Sequence, residues 1–446
     1  MKELIILIIF TTIISATLAL NLRQLTYFTI ILVFFPVHIQ FMGKDAIATG
    51  TVCIFFLFGK YLTDSFLKRK FIKETYDYWI YGLILLSAFA FFWPFLAGSS
   101  NSAELGPAVR YWFNFLGAML LFLVIKNARD PAIPLSAHVE KLLSLYIILV
   151  FSHVIISLSI KFFPTFGAAF TPFLARDLDT LTIYDKGGIG RIRSFTFGYE
   201  AFGEILAFLS PIVIYKVFQE KKFLWYFCLI GFGFGVLFTA TRSGIMLFGA
   251  GLMLSLMFYF KSRMGRAVAI SYFLILLIFS GISFYPPLFE DLTYRFSLTA
   301  KAYNSGENFI DIINRGEVFP YAWDVTVSTL SWIGNGFAET KYHFHNLFLT
   351  VLFRKGIIGT LLFFGVLLYP AVCLVKLYRS GEARDSAHDS LVLLCLFSLI
   401  LFFTNEFKYE FIRQSVYQQI CWGIFATYYL VSLPMHNKQP SKMNNY

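Results

Sequence analysis

The sequence predicts an all-α, polytopic transmembrane protein with about 12 or 13 spanning helices, and three observations predict it. Of its 446 residues 58% are hydrophobic and 14% charged, and the mean hydropathy is +0.68, well outside the range of water-soluble domains. Apolar runs near the ~20 residues that cross a bilayer recur along almost the whole chain. The 55 Phe and 25 Tyr suit helices that face lipid and end in aromatic belts.

The first run, near 4–20, follows Met1-Lys2-Glu3. No small-residue cleavage site follows it, so it reads as a membrane helix rather than a signal peptide. Further runs lie near 26–41, 46–62, 78–97, 108–125 and 141–162, then near 200–217, 222–239, 243–260, 267–284, 345–376, 389–404 and 414–433. No internal repeat or soluble domain interrupts them. Residues 1–435 are therefore expected to form one membrane domain, and the polar stretch 436–446 a cytoplasmic tail.

The net charge of +11 gathers in alternate links. Lys68-Arg69-Lys70 with Lys73, Lys126 with Arg129, Lys221-Lys222, Lys261 to Arg266, and Lys376 to Arg384 mark the cytoplasmic side. Membrane orientation explains this charge, and nucleic acid is a poor partner. The other links face outward, including two long ones, 163–199 and 285–344, and the tight turn at Thr239–Gly244. Counting back through all 13 segments places the N-terminus outside, whereas Lys2 favours the inside with one early segment failing to span. The five cysteines show neither metal spacing nor a paired framework and read as core residues.

Ionisable groups near membrane depth are costly and point to function. The strongest candidate is His345-Asn346, followed after nine residues by Gly356-Ile357-Ile358-Gly359. An imidazole has an unperturbed pKa of about 6.5 and can take a proton from a hydroxyl near neutral pH. The two glycines suit close helix packing. An interfacial cap is the bland alternative. His343 would point elsewhere on a helix, and His153, inside an apolar run, suits a hydrogen-bonded core.

Arg191 and Arg193, leading through Gly198-Tyr199-Glu200 into a helix, offer planar forks that match phosphate oxygens. Lipid head groups are the other reading. Glu200 and Glu204, one turn apart, either orient those arginines or stabilise the helix start. Arg242 stands at the start of a helix, where free N–H groups favour an anion, or else it snorkels. Arg295 and Arg315 are further outward cations, for which a solvated loop position is the simpler account. No acidic pair or His cluster has metal-site spacing, and the glycines of Gly231-Phe232-Gly233-Phe234-Gly235 lie inside a helix, so neither a metal, nor a cofactor, nor a nucleotide donor is expected. The stretch Ile310–Leu330 suits a helix lying on the membrane, and with Gly334-Asn335-Gly336 it reads as a roof.

These residues resemble the O-antigen ligase and polymerase superfamily of bacterial surface-glycan enzymes. The His345-Asn346 spacing to Gly356 and Gly359 is similar to the signature of the ligases, Thr241-Arg242-Ser243-Gly244 to a Ser-Arg-Gly type turn, and Asn314-Arg315 through Trp323 to Gly336 to the segment before the histidine. The resemblance covers roughly 190–365. It implies a metal-independent, inverting glycosyltransferase of the C-type membrane fold in a bacterial inner membrane, using an undecaprenyl-diphosphate-linked glycan at the periplasmic face. It also implies that His345 is the general base, supported by Asn346, Glu200, Gly356 and Gly359, with the diphosphate held among Arg191, Arg193, Arg242, Arg295 and Arg315. The acceptor is a lipid A core sugar for a ligase, which the His345 motif favours, or a lipid-linked repeat unit for a polymerase, which Gly198-Tyr199-Glu200 favours. A flippase of lipid-linked sugars shares the helix count, but transporters usually show repeated halves.

Overall fold

The computed structural model describes residues 2–41, 45–67, 74–96, 105–128, 133–163, 165, 192, 194, 198–260, 297, 318–336, 343–380, 386–407 and 410–433. Helices α1 (Lys2–Ala19) and α2 (Leu22–Phe34) are followed by a short antiparallel hairpin, β1 (His38–Phe41) with β2 (Asp45–Ala48). Then come α3 (Thr49–Leu67), α4 (Thr75–Leu96), α5 (Leu105–Asn127), α6 (Leu135–Phe162), α7 (Tyr199–Glu220), α8 (Phe223–Thr239) and α9 (Arg242–Tyr259). After α10 (Val318–Ser328), the chain continues through α11 (Leu347–Arg379), α12 (Ser386–Glu406), a 3-10 turn (Phe411–Arg413) and α13 (Ser415–Val431).

Among the described residues, eight helices are long and apolar enough to cross a membrane: α3, α4, α5, α6, α7, α9, α11 and α12. They correspond to eight of the expected segments, and the protein is an integral membrane protein. Segments of α1, α2 and α8 are apolar but shorter. The segment near 267–284 lies outside the described residues, as do most of 163–199 and 285–344. One expectation fails locally: 26–41 is not one span, because α2 stops at Phe34 and the chain turns into the hairpin. Phe35 precedes Pro36 and takes φ −115°, ψ 63°, as a residue before proline is pushed out of the helical region.

The core is built on α7 and α13. Almost all of α7 is enclosed, and α13 packs against α5, α11 and α6. Pro211 inside α7 removes an N–H, and the Ser210 hydroxyl donates to the Ala207 carbonyl at 2.7 Å, supplying the missing partner. Inside the bundle, Gln419 on α13 donates to Thr51 on α3 at 2.8 Å, and Ser398 and Tyr428 pair at 2.6 Å, as polar groups shielded from water require. His153 is fully buried and pairs with the Ser194 hydroxyl at 2.6 Å, the core role its position predicts. All five cysteines are unpaired, and four are buried.

The two ends of the bundle differ in chemistry. At one end, where α4 begins and α5 finishes, Lys126 is fully buried between Asp77 at 2.8 Å and Glu74 at 3.0 Å. Where α6 begins and α7 finishes, Lys216 pairs with Glu140 and with Glu220, the latter at 2.8 Å. Lys221 and Lys222 follow the end of α7, and Lys376 and Arg379 lie in the last turn of α11, which points the same way. Lys126→Met would remove the 2.8 Å ion pair from the fully buried Asp77. Breaking a buried pair from one side costs about 3–5 kcal/mol, so thermal unfolding in detergent is expected to drop sharply for Lys126→Met, while the exposed Lys222→Met should change little.

Candidate functional site

The opposite end gathers the starts of α5, α7, α9, α11 and α13 with the finish of α12. At the start of α11, Asn346 is the N-cap: its side-chain oxygen accepts the Leu349 N–H at 3.0 Å. Its amide donates to the Phe407 carbonyl at 3.0 Å, and the side chain is buried. This is the side-chain oxygen that a helix start needs, doubled as a tie to α12.

His345, one residue earlier, has φ +51°, a left-handed conformation that few non-glycine residues adopt. Its N–H donates to the Glu410 carboxylate at 2.5 Å, and Glu410 is buried. The ring is half-buried, while His343 is exposed. The two rings stand edge to face with centroids 6.4 Å apart. His343 was expected to diverge from His345 along a helix; instead both precede the helix, and the positive φ keeps them neighbours.

Gly356 does more than permit close packing. It interrupts α11 at φ +66°, ψ −170°, a region open essentially to glycine alone. The break severs the bonds that Ile357 and Ile358 would make to the carbonyls of Phe353 and Arg354. Both halves are re-made by one loop: Ile357 and Ile358 donate to the Ser331 and Trp332 carbonyls at 3.1 and 3.2 Å. The Phe353 and Arg354 carbonyls accept from Asn335 and Gly336 at 2.8 and 3.1 Å. Backbone at membrane depth must find such partners within the protein. Gly334, at φ +93°, crosses Gly356 so closely that a Cβ on either would stand 2.4 Å from the other's nitrogen. Gly359 leaves room for the stem of Lys355, which is buried, donates to Ser87 at 2.7 Å and sits 3.8 Å from the Phe115 ring centroid.

Above this break, α10 covers the first turns of α11. Phe319, Tyr321 and Val325 pack on Phe344, Leu349 and Phe353, while Trp323 and Val327 remain exposed. Within the stretch 310–330, for which a helix was expected, the described residues form one over 318–328, and 310–317 lie outside them.

The other half of the site is tied to the first by side chains. Gln414, before α13, accepts the N–H of Gly198, the N-cap of α7, at 3.0 Å. Glu200 lies in the first turn of α7 and is half-buried. The turn between α8 and α9 uses Ala240 at φ +49° and pairs the Thr239 and Thr241 hydroxyls at 3.1 Å. A Cβ on Gly244 would stand 3.2 Å from Gly203 Cα, so α9 meets α7 one turn past Glu200. Arg242 then occupies the first position of α9 and is half-buried. Ile192 donates to the Phe238 carbonyl at 2.9 Å beside this turn.

Of the residues singled out in the sequence, the described ones, His345, Asn346, Gly356, Glu200 and Arg242, lie toward the same end of the bundle, with Gly359 one turn further along α11. Arg191, Arg193, Arg295 and Arg315 lie outside the described residues. Three participants were missed. Glu410 and Gln414 belong to the short link before α13, where nothing in the sequence marked them. Arg354 stacks 4.6 Å over the Tyr111 ring centroid, and nothing in the sequence marked it either. Among the described residues no group of three or more His, Cys, Asp or Glu side chains is arranged to hold a metal ion.

Compared with known proteins, residues 227–364 match the family model described as O-antigen ligase. No curated protein matches the chain. The matched stretch runs from α8 through the Arg242 turn to His345, Gly356 and Gly359, and over these residues the chain is similar to that family.

Proposed function

We propose that this protein joins an undecaprenyl-diphosphate-linked glycan to an acceptor sugar at the periplasmic face of the bacterial inner membrane, as an O-antigen ligase acting on lipid A core. The family match over residues 227–364 supports a membrane glycosyltransferase of surface-polysaccharide synthesis. The observation that carries the finer reading is the fixing of His345, by Glu410 and the Asn346 cap, at the bundle end opposite Lys221, Lys222, Lys376 and Arg379. Basic links favour the cytoplasm, which turns His345 outward.

In this mechanism the His345 imidazole takes the proton of the acceptor hydroxyl. The hydroxyl oxygen attacks the anomeric carbon, and the bond to the diphosphate breaks on the opposite face, inverting the centre. The lipid diphosphate leaves with the bonding electrons. Arg242 at the α9 start, with Arg191, Arg193, Arg295 and Arg315, is assigned to its charge. The N-termini of α7, α9, α11 and α13 point to the same end and add positive potential there. Such fixed donors stabilise a leaving anion without reorganising in the transition state.

Gly198-Tyr199-Glu200 favours a second acceptor, a lipid-linked repeat unit, as for a polymerase. Deleting the gene distinguishes the two. A missing ligase leaves full-length polymer on the carrier lipid, which is the expected result. Accumulation of single repeat units instead would make the protein a polymerase.

A further inference from the structure

Behind the link that holds His345 lies a pair of carboxyl groups that the mechanism above does not use. Glu204 on α7 is 2% exposed and Glu406 at the finish of α12 is 0% exposed, and the two are within hydrogen-bonding reach of one another. Glu406 Oε2 accepts the Phe411 N–H at 3.2 Å. Neither oxygen of Glu204, nor Oε1 of Glu406, meets an aligned donor among the described residues, although the Tyr417 hydroxyl and the Asn405 amide stand beside Glu204. Among the described residues, Glu200, Glu410, Tyr417 and Cys421 are the other titratable groups that act most strongly on the pair.

An ionised carboxylate only accepts hydrogen bonds, whereas a protonated one also donates. Two bare carboxylates facing each other away from water would combine repulsion with lost hydration. One proton between them turns that contact into a charge-assisted O–H···O bond, among the strongest available.

We propose that Glu204 and Glu406 share a single proton, and that the pair positions His345 by anchoring Phe407, Glu410 and Phe411 to α7. The Phe411 N–H bond to Glu406 ties the 3-10 turn to the finish of α12. Beside this tie, the Phe407 carbonyl holds Asn346 and the Glu410 carboxylate holds the His345 backbone. α7 in turn carries Glu200 and packs on the start of α9, where Arg242 stands. The shared proton therefore joins the half of the site assigned to proton transfer with the half assigned to the diphosphate. The positioning role rests on the assignment of His345 as base; the shared proton does not.

Glu204→Gln replaces the proton with an amide N–H that can still donate to Glu406, whereas Glu204→Leu removes the bond. Transfer by purified protein from a synthetic lipid-diphosphate donor is expected to stay within about threefold for Glu204→Gln. For Glu204→Leu it should fall about 100-fold, in kcat rather than in KM for the donor, as for a misplaced reacting group. Infrared spectra of the wild type at neutral pH should contain a protonated-carboxyl carbonyl band that shifts in heavy water and is missing from Glu204→Gln. That band reports the proton even if Glu204→Leu fails to fold. Absence of the band, or a Gln variant as damaged as the Leu variant, overturns the proposal. Full activity in His345→Ala would instead remove the base assignment and leave the band in place.

Discussion

Replacing His345 with alanine is expected to reduce glycan transfer by about 100- to 10,000-fold, the range over which positioned acid–base groups act. The loss should fall on kcat, because in the proposed reaction the imidazole takes a proton only as the acceptor oxygen attacks and contributes little to holding the donor. The backbone bond to Glu410 and the Asn346 cap do not involve the ring, so the protein should fold as the wild type does. His343, whose ring centroid lies 6.4 Å away, provides the control. It is exposed, and His343→Ala should retain most of the activity. Transfer assays on the two single variants check this directly, and equal losses in both would mean that the exposed ring, not the one held by the link, does the chemistry.

The second large effect is expected at Gly356. A β-carbon there would stand 2.4 Å from Gly334 N and 2.6 Å from both the nitrogen and the carbonyl carbon of Ile333, all backbone atoms. The φ of +66° with ψ −170° adds strain of about 1–3 kcal/mol for any other residue, and forcing atoms into a filled space costs about 1–3 kcal/mol more. Gly356→Ala should therefore lose several degrees of thermal stability in detergent together with transfer activity. Gly249→Ala is the matched comparison, since its β-carbon would meet nothing within 4 Å. That variant should be neutral or slightly stabilising, as alanine for glycine within a helix usually is.

The helical frame was legible because hydrophobic runs of bilayer length leave little choice of structure, and eight of them appear where the runs lie. What escaped depends on contacts between distant parts of the chain. The break at Gly356 has the same local sequence as a helix-packing glycine, and only the arrival of residues 331–336 makes a backbone interruption affordable. Glu410 looks like a loop charge until the fold brings it 65 positions back to His345. Glu204 sits one turn from Glu200 and shares its local signal, yet α12 and α13 enclose one and leave the other half-buried. The early hairpin was missed because Val37 to Phe41 continues an apolar run, while Pro36 had already ended the helix.

Since α11 borrows four backbone partners from the stretch 331–336, its upper turns cannot reach their final shape as an independent rod. Below Gly356 the helix can insert as any membrane segment does, but the turns that carry His345 must wait for that stretch to dock. In the order of assembly, the end of the bundle that bears His345 therefore takes its final backbone only after residues 331–336 are in place.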